Sequence, residues 1–173
     1  GGFIVNQGIL QAATGGSVNL IGGAVRNEGL ILASAGQVNL VAGRKMTMDF
    51  DGDGLIRFAV DEGVLENAEN LDSAVSNTGE IQADGGHVLL EGHAAKDVFS
   101  NVVNNEGVIR AGRIVNEGGT IRLVAGGTSN SLINTGILDA SGQGGDGGAV
   151  TLQATDTTIL GGNSVISASS PDA

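Results

Sequence analysis

One motif, N-x-G-x-[IL]-x-A, starts at Asn6, Asn27, Asn77, Asn105 and Asn134, and a chain that copies itself in this way is constrained to stack one structural unit on the next. Four residues after each Asn stand Leu10, Ile31, Ile81, Ile109 and Leu138, and six after stand Ala12, Ala33, Ala83, Ala111 and Ala140. Two residues before each Asn come Ile4, Val25, Val75, Val103 and Leu132. The residues between, Gln11, Leu32, Gln82, Arg110 and Asp139, vary freely. Fixed apolar positions alternating with variable ones have the period of a β-strand with one buried face.

A second strand pattern, G-x-[VI]-x-L, follows in every copy, at 16–20, 36–40, 86–90, 119–123 and 148–152. Two residues beyond each Leu sits a small residue, Gly22, Ala42, Gly92, Ala125 or Ala154, which leaves room for close packing. The 21 residues from Asn6 to Asn27 suit one coil of three short strands and three turns. Equivalent strands of successive coils then stack in parallel at about 4.8 Å, and five coils with a degenerate sixth, Val165-Ile166-Ser167-Ala168, form a rod about 25–30 Å long. Composition agrees: with 31 Gly, one Pro, four Phe and no Trp, Tyr or Cys, the core must be built in thin layers of Val, Ile, Leu and Ala. The expectation is an all-β chain folding as one domain over 1–173, a single-stranded parallel β-helix. Because the sequence starts mid-pattern at Gly1-Gly2-Phe3-Ile4 and stops without a polar cap, it is expected to be a fragment of a longer protein with raw parallel edges at both ends.

The repeated Asn shares strand parity with the inward aliphatics, and Gly8, Gly29, Gly79, Gly107 and Gly136 follow it two residues on. This pairing reads as a corner. Asn tolerates left-handed backbone angles, its amide can bond the Asn one coil above, and Gly completes the turn at little steric cost. A stacked ladder of Asn6, Asn27, Asn77, Asn105 and Asn134 is therefore expected.

The interval from Asn27 to Asn77 is 50 residues, so residues about 44–74 are expected to leave the regular winding. Met46–Phe50 and Leu55–Val60 flank Asp51-Gly52-Asp53-Gly54, which reads as a β-hairpin, and the acidic stretch 61–72 reads as a short helix or loop. Smaller surface loops are expected at 113–117 and 143–147.

Few constellations carry chemistry. Asp49, Asp51 and Asp53 with Gly54 match the first half of a calcium loop, but the twelfth position is Val60 where a bidentate Glu is needed, and strand-like residues flank it. A plain hairpin turn is the preferred reading, with no metal. The run 142–148 is Gly-rich but occurs once, and a strand follows it rather than the helix that a phosphate loop requires. His87 and His93, near Asp84 and Glu91, fit no familiar ligand spacing, and solvated surface positions account for them. Neither serves a nucleophilic triad. Without Trp or Tyr, the carboxylates Asp61, Glu62, Glu66, Glu69 and Asp72 lack the aromatic platforms of a sugar-cleaving cleft, and Thr155, Thr157 and Thr158 are too few for an ice-binding array. The sequence thus argues against an enzyme and supplies no catalytic or cofactor-binding residue. A net charge of −11 with eight Lys and Arg argues against nucleic acid and anionic membranes, and no apolar run is long enough for a membrane helix.

Three runs, 5–12 (VNQGILQA), 36–43 (GQVNLVAG) and 48–56 (MDFDGDGLI), together with 136–142 (GILDASG), resemble the filamentous-haemagglutinin-type secretion domain of two-partner secretion exoproteins of Gram-negative bacteria. The likeness covers most of the chain and includes motif order and the hairpin. It implies a right-handed parallel β-helix with an extra-helical hairpin, export through an outer-membrane β-barrel transporter as partner, and a place at the bacterial cell surface or in the medium. Membership of a large adhesin, haemagglutinin, biofilm-matrix protein or contact-dependent toxin follows from the same likeness. The family's N-terminal cap and Asn-Pro-Asn motifs have no counterpart, since the single proline is Pro171, so no transporter-contact residue carries over. The leading expectation is a scaffold and export module. Its rival is a direct binding module, in which the hairpin at about 46–60 or the acidic loop contacts a host glycan or matrix polysaccharide.

Overall fold

The computed structural model describes residues 2–50, 52, 54–112, 118–142 and 146–170. The expected loop at 113–117 and residues 143–145 of the other loop lie outside the described residues. Every regular element among the described residues is a strand. The first winding comprises β1 (Phe3–Asn6), β2 (Ile9–Gln11) and β3 (Ser17–Gly22), and the second β4 (Ala24–Asn27), β5 (Leu30–Leu32) and β6 (Gln37–Ala42). Next come β7 (Lys45–Phe50) and β8 (Ile56–Glu62), then a third winding of β9 (Val75–Asn77), β10 (Glu80–Gln82) and β11 (His87–Ala94). The fourth holds β12 (Val103–Asn105), β13 (Val108–Arg110) and β14 (Thr120–Gly127), and the fifth β15 (Leu132–Asn134), β16 (Ile137–Asp139) and β17 (Ala149–Ala154). A sixth, shorter winding contributes β18 (Thr158–Leu160) and β19 (Val165–Ser167).

Three parallel sheets result, each taking one strand from every winding it contains. The first sheet is β1-β4-β9-β12-β15-β18, the second β2-β5-β10-β13-β16-β19, and the third β3-β6-β11-β14-β17. Stacked parallel sheets of this kind belong to the β-solenoids. The register joins like to like: Val25, Val75, Val103 and Leu132 are successive neighbours in the first sheet, and Ile31, Ile81, Ile109 and Leu138 in the second. In the third, Leu20, Leu40, Leu90, Leu123 and Leu152 line up. One core fills the interior with these aliphatics and with Ala33, Ala83, Ala111 and Ala140. Burial is deepest in the middle windings: Ile31, Ile81 and Ile109 are fully buried, whereas Ile4, Leu10, Val150 and Leu152 are only partly so.

The corner glycines have a different reason from the one their sequence context suggests. None of Gly8, Gly29, Gly79, Gly107 and Gly136 takes a positive φ, and neither does any Asn of the motif. A Cβ on Gly29 would instead stand 2.1 Å from the Gly8 carbonyl oxygen, and one on Gly79 the same distance from the Gly29 oxygen. Backbone lies on backbone at this corner. The second glycine column repeats the constraint, with Gly36 against the Gly16 carbonyl and Gly86 against that of Gly36. Left-handed angles are used elsewhere, at Gly52 and Gly54 between β7 and β8.

Strands β7 and β8 pair antiparallel, with Phe50 opposite Ile56 and Asp49 opposite Arg57, and belong to none of the parallel sheets. No helix forms in the acidic stretch after them. Asp61 and Glu62 end β8, and Val64 bridges in parallel to Ala94 at the end of β11. The Gly43 N–H donates to the Gly22 carbonyl, the Arg44 N–H to the Glu62 carbonyl, and the Val64 N–H to the His93 carbonyl, so the chain leaves and rejoins the stack at one place.

Candidate functional site

The alternation Ile56, Phe58, Val60 in β8, each partly buried between exposed Arg57, Ala59 and Asp61, gives the strand one apolar face. That face needs a partner. Strand β8 contacts β6 and β11, and Val60 Cγ1 stands where a Cβ on Gly43 would be, so the two-stranded unit lies on the outer surface of the third sheet. Parity makes Gln37, Asn39 and Val41 outward residues of β6, because Val38, Leu40 and Ala42 fill the core. All three are nonetheless buried, Val41 completely, Asn39 to 4% and Gln37 to 7% exposure.

Beyond the covered strip, between β8 and the outward side chains of β11 and β14, runs a groove of about 300 Å³. Its floor carries His87, Leu89 and Glu91, one wall is Ile56 and Phe58, and Arg122 stands at the other side. Several of its polar groups are fixed by neighbours. Gln37 Oε1 accepts the Ile56 N–H at 2.8 Å, Asn39 Nδ2 donates to Asn19 Oδ1 at 2.8 Å, and His87 Nδ1 shares a 2.7 Å hydrogen bond with Thr120 Oγ1. Glu91 Oε1 is 2.8 Å from His93 Nε2, and the His93 ring occupies the space that a Cβ on Gly126 would need. Arg122 is exposed and has no hydrogen-bond or ion-pair partner among the described residues, unlike Arg26, Arg44 and Arg110, which pair with Glu28, Glu62 and Glu80. The arrangement can hold a polar ligand by hydrogen bonds.

The second arrangement of note is structural. Asn6, Asn27, Asn77, Asn105 and Asn134 form one buried column, in which each Nδ2 donates to the Oδ1 of the next: 2.8 Å for Asn6 to Asn27, Asn27 to Asn77 and Asn77 to Asn105, and 2.7 Å for Asn105 to Asn134. At the lower end Asn6 Oδ1 accepts the Gly8 N–H, and at the upper end the next rung is Leu160. An amide carries donor and acceptor at a spacing that matches the strand repeat, so a stack of identical amides satisfies itself without water.

The other candidates are dispersed. Asp49 lies in β7 across from a cation, Arg57, while Asp51 and Asp53 are outside the described residues. Asp84 is engaged by another winding, its Oδ1 accepting the Gly112 N–H at 3.0 Å. Among the described residues no group of three or more His, Asp or Glu side chains could hold a metal ion. His87 and His93 are more enclosed than solvated surface positions, because the covering strands and neighbouring side chains shield them. Sequence reasoning overlooked Gln37, Asn39 and Arg122. The available signal was Val41, an aliphatic at an outward position, together with the apolar alternation of β8, which has to be laid against something. No helix among the described residues is long and apolar enough to cross a membrane. Comparison of the chain with family models, with curated proteins and with solved structures found no match.

Proposed function

We propose that the chain is the scaffold and export module of a secreted bacterial surface protein of the two-partner secretion kind. The polypeptide crosses the outer membrane unfolded through a β-barrel transporter and winds up outside, each winding templated by the one before. In this reading the solenoid is a right-handed β-helix, as the twist of strands favours for connections between parallel neighbours, and β7 and β8 are an insertion carried on its flank.

One observation carries the proposal: every strand of the three sheets bonds only to the windings directly before and after it. Such a stack can grow from one end as chain emerges, since each new winding finds its hydrogen bonds and its core already half built. Burial of roughly 0.8 kcal/mol per CH₂ then opposes sliding back into the channel.

The test is secretion of the full-length exoprotein carrying Ile81→Asp or Ile109→Asp, with Ile81→Val as the mild control at a cost of about 1 kcal/mol. A carboxylate at either fully buried position prevents the third or fourth winding from closing. Extracellular protein is expected to fall severalfold for the Asp variants and to stay at wild-type level for Ile81→Val; secretion of the Asp variants at wild-type level contradicts the proposal.

A further inference from the structure

Gln37 and Asn39 are more than nine-tenths buried, and each leaves one polar atom without a partner among the described residues where it borders the groove beside β8. Gln37 spends its carbonyl on the Ile56 N–H and keeps Nε2; Asn39 spends its amino group on Asn19 and keeps Oδ1. Neither free end is sealed off, since the buried side-chain atoms without a partner among the described residues are Ser73 Oγ and Asn104 Oδ1, so both ends open onto the groove. Here they are held at half capacity on the sheet, in the groove that also holds Glu91 and Arg122, whose Oε2 and guanidinium have no partner among the described residues.

We propose that this groove is a binding site for an acidic oligosaccharide whose rings carry carboxylates, that is, a uronic acid chain. The chemistry of the free groups selects it. Asn39 Oδ1 and Glu91 Oε2 accept from ring hydroxyls, Gln37 Nε2 donates to one, and Arg122 pairs with a ring carboxylate through its planar fork. Phe58 and Leu89 supply an apolar surface for a ring face in a chain that has no Trp or Tyr. The same groups disfavour an acidic peptide. Such a peptide brings as many carboxylates as a uronic acid chain, but it has no ring hydroxyls to offer the two acceptors. The inference stands apart from the mode of export, since it concerns only how β8 and the third sheet face one another.

Calorimetric titration of the whole chain with trigalacturonate tests it, with maltotriose as the neutral ring chain and a triaspartate peptide as the acidic non-sugar. Trigalacturonate is expected to bind with a Kd of about 1 mM or tighter. Arg122→Ala is expected to weaken that binding about tenfold, the loss of a charged hydrogen bond, while leaving the melting temperature unchanged because the side chain is exposed. Raising salt should weaken binding to the wild type and have less effect on the variant. Absence of trigalacturonate binding at about 10 mM, equal binding of maltotriose or triaspartate, or unchanged binding by a folded Arg122→Ala each overturns the proposal.

Discussion

At the scale of single residues, the Asn column shows how a polar side chain earns a place in an aliphatic core. Asn27, Asn77, Asn105 and Asn134 are fully buried, and the column satisfies them by giving each amide an identical neighbour. Replacing a middle rung strands two partners at once. Asn77→Ala leaves Asn27 Nδ2 with only its longer carbonyl contacts and Asn105 Oδ1 with no donor, and is expected to cost about 2–4 kcal/mol. Asn6→Ala, at the end of the column, strands Asn27 Oδ1 and otherwise releases only the exposed Gly8 N–H, and should cost about 1–2 kcal/mol. Urea unfolding of both variants checks the difference, and equal losses would contradict a column in which every rung serves both neighbours. The position of this column was legible in the sequence, because its Asn residues recur at one fixed distance from apolar residues. The purpose of the glycines was not. A Gly two residues after an Asn reads as a turn with unusual backbone angles, whereas Gly29, Gly79 and Gly107 keep ordinary angles and are small because the preceding winding's backbone lies against them. That contact is between windings, and a local reading of sequence has no access to it.

At the scale of elements, the three sheets and the antiparallel pair obey different logic. Strands of the sheets find partners through repetition, so their alignment could be read by laying one copy over another. The unit β7–β8 occurs once, and its antiparallel pairing was legible only through the Asp-Gly turn and the alternation on either side. Where it would lie was marked only by Val41 at an outward position, since the outward residues of the third sheet differ from copy to copy and carry no period. Its two ends meet at the Arg44 and Glu62 backbones, so residues 45–61 can be replaced by an Asn-Gly turn without stretching the chain. The shortened protein is expected to keep its β-rich circular dichroism and cooperative unfolding. It should also melt lower and bind more hydrophobic dye, because Val41, Gln37 and Asn39 lose their cover. Failure of the shortened chain to fold would show that β7 and β8 are part of the stack's stability rather than a unit laid on its flank.

For the molecule as a whole, the central claim is that sequence distance and spatial distance are decoupled in a regular way. Gln11, Leu32, Gln82, Arg110 and Asp139 are consecutive neighbours in the second sheet although the intervals between them along the chain are unequal. Axial position should therefore depend on winding number alone, at about 4.8 Å per step. The chain has no cysteine, so nitroxide labels can be placed at will on these outward positions. The decisive measurement is the electron paramagnetic resonance distance from Gln11→Cys to each of Gln82→Cys, Arg110→Cys and Asp139→Cys. The stacked arrangement predicts backbone separations that rise evenly, about 10, 14 and 19 Å. Separations that fail to rise in equal steps, or that follow the number of intervening residues instead, would contradict it.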